Sequence, residues 1–433
     1  MNLQICGRKA ARRGESGKLK ISVIGLGFVG LTTALGFAEK KFDVTGFDIN
    51  AERTDKIKKG IVPFFEPGLD EALKSNLGSK FNIASDPKEA VCNAEAVFFC
   101  VGTPCGDDGK ADLSYLLSAV DSVIDSVSQN CLFVIKSTVP PGTTKDIIQK
   151  YVKDKNDAIS VANNPEFLRE GYCWNDFLYP DRIVCGCSDN DKKASDILEK
   201  LYKPFNAPVH FVSHNTAEFI KYLSNSLLAS MISFSNEMAL IAEAAGDINT
   251  AKAFKILHQD KRLDGSGIRH YIYPGCGYGG YCLPKDTAAL SANSKANGFV
   301  PRILDSVISL NDEMPRLTAE KIIRITGDKN NKIGILGLSF KPDSDDVRDS
   351  PAAKIIAVLL NAGYKNIYAY DPEAKENFMQ TYKFDINFCD TKDEVCGICD
   401  NIAVITTWKE FSDINKKYPE KHFIDCRYFL NSK

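Results

Sequence analysis

The chain has no apolar run approaching the ~20 residues a membrane-spanning helix needs, so nothing in its 433 residues reads as a transmembrane segment. It also lacks an excess of either charge. Lys and Arg total 54 against 56 Asp and Glu, for a net charge of −2. That balance argues against nucleic acid as the main partner, because phosphate backbones select basic surfaces. A local basic pocket for a small anion stays open. The stretch from Met1 to Lys20 is polar and basic and lacks the apolar core of a secretory signal. Residues 1–19 read as a flexible basic tail; Glu15 and the lack of clear amphipathicity count against an organelle-targeting role. The fourteen cysteines lack the spacing of a small disulfide scaffold, so they read as free thiols in a reducing cytoplasm. Cys396-Gly397-Ile398-Cys399 is a lone CxxC, with no second pair and no suitably spaced histidine nearby. Metal or redox use of that pair is a weak reading.

What the chain has is ordinary bulk and unusual local order. Apolar residues at 44% and charged residues at 25% fit a soluble globular protein, and the length predicts two or three domains. Leu19 to Ile24 reads as a buried strand. It runs into Gly25-Leu26-Gly27-Phe28-Val29-Gly30, a helical stretch from Leu31 to Glu39, and a second strand, Val44 to Phe47, that ends at Asp48. Strand, GxGxxG, helix, strand and acid form the dinucleotide fingerprint in its confirming context. Gly25 serves the tight turn, Gly27 lets a pyrophosphate approach the backbone, and Gly30 lets helix and strand pack closely. The helix N-terminus faces the phosphates with its partial positive charge. Asp48 suits the ribose hydroxyls and repels a 2′-phosphate, which favours NAD over NADP.

Strand-like segments recur at Ala96 to Val101, Leu132 to Ile135, Ala158 to Ala162 and Ile183 to Cys185, with helical segments between several of them. This predicts a doubly wound parallel sheet. Polar clusters follow three of these strands: Gly102-Thr103-Pro104, Lys136-Ser137-Thr138 and Asn163-Asn164-Pro165-Glu166. Each alone is a routine turn, but all three fall on the sheet edge where ligands bind.

His214 to Ala245 predicts a long helix. Asn215 and Glu218 have capping-box spacing, and Gly246 is a stop. Lys221 and Asn225 lie four apart on one face; the bland reading is a solvated lysine and a stray amide. Ile220, Leu223, Leu227, Met231 and Phe234 predict a buried stripe, on a helix long enough to bridge two domains and pair with a copy of itself. Next comes Pro274-Gly275-Cys276-Gly277-Tyr278-Gly279-Gly280-Tyr281-Cys282-Leu283-Pro284-Lys285-Asp286. The bland reading is a glycine turn with a buried cysteine. The sharper one is a thiol whose pKa a neighbouring cation lowers, beside a carboxylate that handles protons. Cys276 competes for the nucleophile role on composition alone. Helical pattern resumes from Thr287 to Asn297 and from Ile303 to Ile325, followed by a polar linker, Gly327 to Asn331. A second strand-turn-helix unit begins at Lys332 to Leu336, with further strands at Tyr368 to Tyr370, Ile402 to Ile405 and Phe423-Ile424. It lacks a full GxGxxG, so no second dinucleotide is assigned to it.

These motifs, in this order, resemble the UDP-glucose/GDP-mannose dehydrogenase family from Lys20 to Leu430. The matching segments are Gly25–Gly30 with Asp48, Phe65–Leu69, Val101–Pro104, Lys136–Thr143, Asn164–Gly171, Lys221 with Asn225, Gly279–Asp286, and Phe340-Lys341 with Asp346-Val347-Arg348. The resemblance implies an α/β protein of two Rossmann-like doubly wound domains joined by a long central helix and helical region. The implied divisions are an NAD-binding domain at 20–213, a central dimerisation domain with the cysteine loop at 214–326, and a UDP-sugar-binding domain at 327–433. It implies an NAD-dependent four-electron oxidation of a nucleotide sugar's C6 alcohol to the carboxylate, in a homodimer or higher homo-oligomer. Cys282 becomes the nucleophile that forms a thiohemiacetal and then a thioester, leaving Cys276 as a packing residue. Lys221 and Asn225 stabilise oxyanions, and Asp286, Thr138 and Glu166 share the proton and water handling. The cofactor set implied is Gly25, Gly27, Phe28, Val29, Gly30, Asp48, Arg53, Thr103, Thr138, Glu170, Lys285 and Arg348. The substrate set is Phe167, Leu168, Lys221, Asn225, Arg262, Arg269, Tyr273, Gly279, Lys341 and Arg427, and no metal is implied.

The chain departs from the family pattern in places. Tyr281 stands where serine is usual, Leu283 for phenylalanine, Met231 for a common lysine and Thr407 for glutamate. Arg262 and Arg269 compete for the arginine that reaches a partner subunit's substrate. The Asn164–Gly171 segment favours UDP-glucose or GDP-mannose over N-acetylated UDP-hexosamines, with UDP-glucose first. Two rival classes are a two-electron NAD hydroxy-acid dehydrogenase, in which Cys282 is incidental, and a silent NAD-binding protein.

Overall fold

The computed structural model describes residues 19–106, 108–128, 130–263 and 267–430. The basic tail up to residue 18, and Asp264 to Ser266 within the Arg262–Arg269 segment, lie outside them. The first sheet contains β1 (Lys20–Ile24), β2 (Asp43–Phe47), β3 (Phe81–Ile83), β4 (Ala96–Phe99), β5 (Leu132–Ile135), β6 (Ser160–Asn163), β7 (Ile183–Gly186) and β8 (Val209–Val212). Its spatial order is β3-β2-β1-β4-β5-β6-β7-β8. The order reverses between β1 and β4, so a crevice opens at their carboxyl ends, where doubly wound sheets bind ligands. Apolar clusters cover both faces. One is centred on Phe37, whose ring meets Phe98, Phe177 and Tyr202; the other includes Phe99 and Phe133. The central strands, buried on both faces, therefore read as unbroken apolar runs.

The expected parallel sheet holds with one exception. β6 and β7 pair antiparallel, through Asn163 and Gly186 alone. A side chain at Gly186 would meet Asn163 Oδ1 at 1.9 Å. The Asn163 amide bonds the carbonyl of His214, at the start of the long helix, and the Asn164 amide side chain bonds the Val184 carbonyl of β7 at 2.7 Å, which helps join the sheet here.

Helix α1 (Phe28–Glu39) follows the glycine turn. Gly25 takes φ +91°, and a side chain on Gly30 would lie 1.8 Å from the Gly25 carbonyl oxygen. Both positions require glycine, the first for its angle and the second for its contact.

The long helix α2 spans His214–Ala245, as expected, and ends at Gly246. Its cap differs from the expectation. Ser213, not Asn215, accepts the Thr216 amide. Glu218 instead leaves its own helix and accepts the amides of Gly142 at 2.8 Å and Thr144 at 2.7 Å. The apolar stripe is also corrected. Leu223, Leu227 and Phe234 are exposed at 52%, 47% and 53% in the single chain. The face buried within the chain carries Ala229, Ala239, Tyr222, Lys221 and Asn225. Small residues there let α3 (Cys282–Ala296) and α4 (Arg302–Thr326) pack closely against α2. α3 begins at Cys282, five residues before the expected start.

The second sheet contains β9 (Ile333–Leu336), β10 (Ile367–Tyr370), β11 (Asn387–Phe388), β12 (Asn401–Val404) and β13 (His422–Asp425), ordered β11-β10-β9-β12-β13. It repeats half of the first sheet. Gly337 takes φ +96° and bonds the Tyr370 carbonyl, as Gly25 bonds that of Phe47. The polar linker is pinned in place, because Gly327, Thr326 and Asn330 carbonyls accept from Tyr364, Asn331 and Asn366. Cys396 and Cys399 are buried in the apolar core beneath this sheet. Among the described residues no helix is long and apolar enough to cross a membrane.

Candidate active site

The crevice at the β1 and β4 ends has the chemistry of a dinucleotide site. Asp48 closes β2 and accepts the amides of Leu26 at 2.6 Å and Asn50 at 2.8 Å, while Arg53 holds it at 2.9 Å. No side chain caps α1, so its first amides face the crevice with the helix dipole behind them. Space beyond Gly27 is open: nothing lies within 4 Å of where a side chain would start. Phe28 rests on Phe64, with ring centres 5.3 Å apart. The next two strand ends are stitched together, since Thr103 donates to the Thr138 carbonyl at 2.7 Å and Ser137 to that of Val101 at 2.6 Å. An open cradle, free helix amides and a carboxylate at the ribose position fit NAD.

The second unit fails the same test. Asp371 closes β10 where Asp48 closes β2. One of its oxygens accepts from Leu338, the Ser339 amide and hydroxyl, and Trp408; the other accepts from Glu373 and Ala374. Six protein donors crowd its two oxygens, against three at Asp48, which saturates the carboxylate and leaves no place for a ribose.

Between the two units lies a cleft of about 510 Å³, bordered by the Pro165–Glu170 segment, Lys221, Asn225, Gly279–Leu283 and Phe340-Lys341. Cys282 is the first residue of α3 and opens onto it. Lys221 and Glu166 form a buried ion pair at 2.9 Å, exposed at only 5% and 7%. Asn225, one turn beyond Lys221, donates to Asp286 at 2.6 Å, and Lys285 holds the other Asp286 oxygen at 2.6 Å. Lys285, expected on the cofactor, is therefore committed to Asp286. Thr138 stands just behind, beside Glu218 and Lys221.

Charge in this cluster follows burial and pairing. Burial alone would raise the Glu166 carboxyl, but Lys221 and the Leu168 amide hold it below the usual carboxylate range. Burial alone would lower Lys221, but Glu166, Cys282 and Asp286 leave it raised. The Cys282 thiol corrects the expectation of a lowered pKa. Cys282 is exposed to the cleft, yet dense protein surrounds its thiol. That burial, with Glu166 adding to it, pushes the thiol up to about 12, and Lys221 and Lys285 only partly oppose the rise.

Contacts across the cleft tie the two units together. Ser344 donates to Glu170 at 2.5 Å, and Lys341 donates to the Glu170 carbonyl. Arg348 is gripped by Asp346 through bonds of 2.6–2.9 Å and lies 4.8 Å over the Tyr281 ring. Phe167 carries Arg182 at 4.4 Å on its ring, with Lys221 at 5.7 Å. Leu168 and Gly279 complete the wall.

Four expected substrate residues do not border the cleft of one chain. Arg262 is 88% exposed and held by Asp260. Arg269 lies in the short turn Ile268–Tyr271. Tyr273 donates to the Tyr428 carbonyl at 2.8 Å, and Arg427 packs against Gly275. Conversely, the motifs hid several supporting residues. Glu66 accepts the amides of Gly171 and Trp174, Glu218 anchors the loop after Thr138, Asp346 aims Arg348, and Lys136 lies beneath Glu166. Glu66, Asp346 and Lys136 were signalled only by their place inside quoted motifs, and Glu218 only by a capping-box spacing that gave it the wrong partners.

Comparison with known proteins gives the same picture. Three models of the UDP-glucose/GDP-mannose dehydrogenase family match in succession: the NAD binding domain at 19–206, the central domain at 215–313 and the UDP binding domain at 334–432. The chain is 40% identical over 406 residues to UDP-glucose 6-dehydrogenase of Rickettsia bellii, covering 92% of this chain and 91% of that protein. It is similar in structure to a UDP-glucose dehydrogenase from Pyrobaculum islandicum, with TM-score 0.90, 36% identity and 96% of each chain covered. It is also similar to a UDP-D-ManNAc dehydrogenase from Pyrococcus horikoshii, with TM-score 0.82, 28% identity and 94% and 95% covered.

Proposed function

We propose a reaction for this chain, which belongs to the UDP-glucose/GDP-mannose dehydrogenase family: NAD-dependent oxidation of UDP-glucose at C6 to UDP-glucuronate. The observation that carries the assignment is one thiol, Cys282, opening into a cleft whose wall also holds a buried Lys221–Glu166 pair and the Asn225–Asp286 pair. A two-electron alcohol dehydrogenase has no use for that thiol.

NAD, when bound, supplies the acceptor for the two hydrides that an alcohol-to-acid oxidation must lose. The residues of the chain do the rest. Asp286, fixed by Asn225 and Lys285, receives the proton of the C6 hydroxyl. Asp286 passes that proton to solvent and then takes the thiol proton of Cys282 as the sulfur bonds the aldehyde carbon, so the aldehyde oxygen becomes the oxyanion of a thiohemiacetal. Lys221 and Asn225 stabilise that oxyanion as it forms. Two-electron oxidation leaves a thioester on Cys282. Glu166, held ionised by Lys221, takes a proton from water as the water adds to the thioester carbon; the C–S bond breaks and the thiol is regenerated. Thr138 orders that water. Because the resting thiol is pushed up to about 12, Cys282 is deprotonated only as it attacks, which limits adventitious alkylation and oxidation between turnovers.

The domain divisions 20–213, 214–326 and 327–433 assign NAD to the first unit and the nucleotide sugar to the third. The uncovered Leu223–Leu227–Phe234 face of α2 forms a homodimer, and Arg262 or Arg269 then reaches the substrate of the other copy. No two of the thirteen described cysteines are joined in a disulfide, which supports a cytoplasmic setting.

The test is the NADH yield with limiting UDP-glucose, GDP-mannose or N-acetylated UDP-hexosamines and excess NAD. UDP-glucose gives about two NADH per molecule, and Cys282→Ser stalls before the acid. A yield of about one, with the variant unimpaired, refutes the thioester route.

A further inference from the structure

Lys136 is a buried lysine whose pKa burial lowers, against the opposing pull of Cys100 and Glu166. It follows β5 and is 5% exposed. Its Nζ donates to Asn164 Oδ1 at 2.8 Å, approaches the Asn164 carbonyl at 3.4 Å, and lies 5.9 Å over the Phe177 ring. Among the described residues no carboxylate comes within ion-pair distance of it. A protein gains no stability from an ammonium held that way, because neutral amides do not replace its water. A charge kept against its own desolvation cost points to a role in chemistry.

Its neighbours show which role. Asn164 is held on every side. Its side-chain oxygen also accepts from Tyr202, its side-chain nitrogen donates to Val184 at 2.7 Å, and its amide bonds the Ile135 carbonyl at 2.9 Å. Two residues on is Glu166, whose carboxylate pairs with Lys221. We propose that Lys136 is a positioning residue for the reaction: it fixes the Asn164–Glu166 turn and supplies a second positive charge behind the Glu166–Lys221 pair. The proposal rests on the part given to Glu166 above.

The ionisable groups around this point are Cys100 at the end of β4, Cys185 on β7, Tyr202 from the helix beneath, Lys221 on α2, and Cys282 and Asp286 on α3. Burial keeps Cys100 and Cys185 from offering a charge, pushing their thiols up to about 12 and beyond although Lys136 pulls both the other way. Tyr202 is raised by burial too. Glu166 is the carboxylate here that Lys136 acts on, adding to Lys221 and the Leu168 amide in lowering its pKa.

The experiment compares full-length Lys136→Gln, Lys136→Met and Lys136→Arg with wild type, recording kcat/KM for UDP-glucose against pH and the melting temperature of each. Removing a positive charge raises a nearby carboxyl. The acid limb therefore moves to higher pH by about one unit in the Gln and Met variants, a tenfold loss of kcat/KM on its acid side. Arg restores the limb. Lys136→Met melts no lower than wild type, since an apolar side chain replaces an unpaired buried charge. Limbs that coincide with wild type, alongside a lower melting temperature for Lys136→Met, overturn the proposal and leave Lys136 a structural residue. If the Met variant does not fold, the Gln variant, which keeps a donor for Asn164, decides alone. The wild-type NADH yield is read in parallel. A yield of about two with unmoved limbs sinks the role of Lys136 only, whereas a wild type that does not turn over UDP-glucose overturns both readings.

Discussion

Cys282 gives the sharpest prediction, because two local effects favour its thiolate and the structure opposes both. It stands at the N-terminus of α3, where the helix dipole favours an anion, and Lys285 is close. Burial and Glu166 nevertheless raise the thiol from 9.0 to about 12. Three units mean about a thousandfold fewer thiolates, or about one thiol in ten thousand at pH 8. A more basic thiolate is also more nucleophilic, with a Brønsted slope of about 0.4–0.5, which returns about half of that loss on a logarithmic scale. Net alkylation by iodoacetamide is therefore about thirtyfold slower than for an unperturbed thiol. Peptide-resolved mass spectrometry measures it, with exposed Cys92 as internal reference. The Cys282 rate climbs with pH to at least 10 without a plateau. Replacing Glu166 with Gln removes a negative charge, lowers the thiol by about one unit, and speeds alkylation about threefold. A Cys282 that reacts as fast as Cys92 at pH 7–8, or a plateau below pH 9, would refute the electrostatic reasoning.

Other outcomes follow from single contacts. Gly30→Ala places a methyl 1.8 Å from the Gly25 carbonyl; it costs about 1–3 kcal/mol in denaturant unfolding and weakens NADH binding measured by fluorescence. Asp48→Asn removes the charge that faces the ribose and repels a 2′-phosphate, so titration shows weaker NAD binding and a smaller preference over NADP. Burial raises Glu218 from 4.5 to about 7, so the folded chain keeps a proton that the unfolded chain has released. Its contribution then falls by up to about 1.4 kcal/mol per unit as pH rises from about 5 to 7. His214, lowered from 6.5 to about 4 by burial, has the opposite slope. The check is therefore the difference in unfolding free energy between wild type and Glu218→Gln, which shrinks over that range. Leu223→Glu with Leu227→Glu charges the exposed face of α2, and sedimentation shows a smaller assembly than wild type.

Much of the fold was legible because its signals are local. The glycines and acid of residues 25–48 dictate a turn, a helix start and a strand end within a few residues of each other. The 32-residue span of α2 was readable because an uninterrupted helical pattern runs to a glycine stop, although the capping-box spacing points to Asn215 and the cap is Ser213. Short strands such as Phe81–Ile83 and Asn387–Phe388 went unread, because two or three residues carry no periodicity and form only through their neighbours. Glu218 misled for a related reason: its spacing fits a capping box, yet its partners lie 74 and 76 residues away.

The sequence by itself determined which chemical groups are available: one thiol after a glycine loop, one dinucleotide turn with its acid, and a lysine and an amide on one helix face. Each depends on neighbours within a turn or two, and short-range sterics read out at that distance. Only the tertiary structure decided how those groups are charged and shared. It gave Lys285 to Asp286 and Lys221 to Glu166, filled Asp371 with protein donors while leaving Asp48 toward a crevice, raised the thiol that its nearest cation was expected to lower, and set Lys136 beneath Glu166. Desolvation and Coulomb energies depend on everything within several ångströms in space, and the sequence does not state that distance.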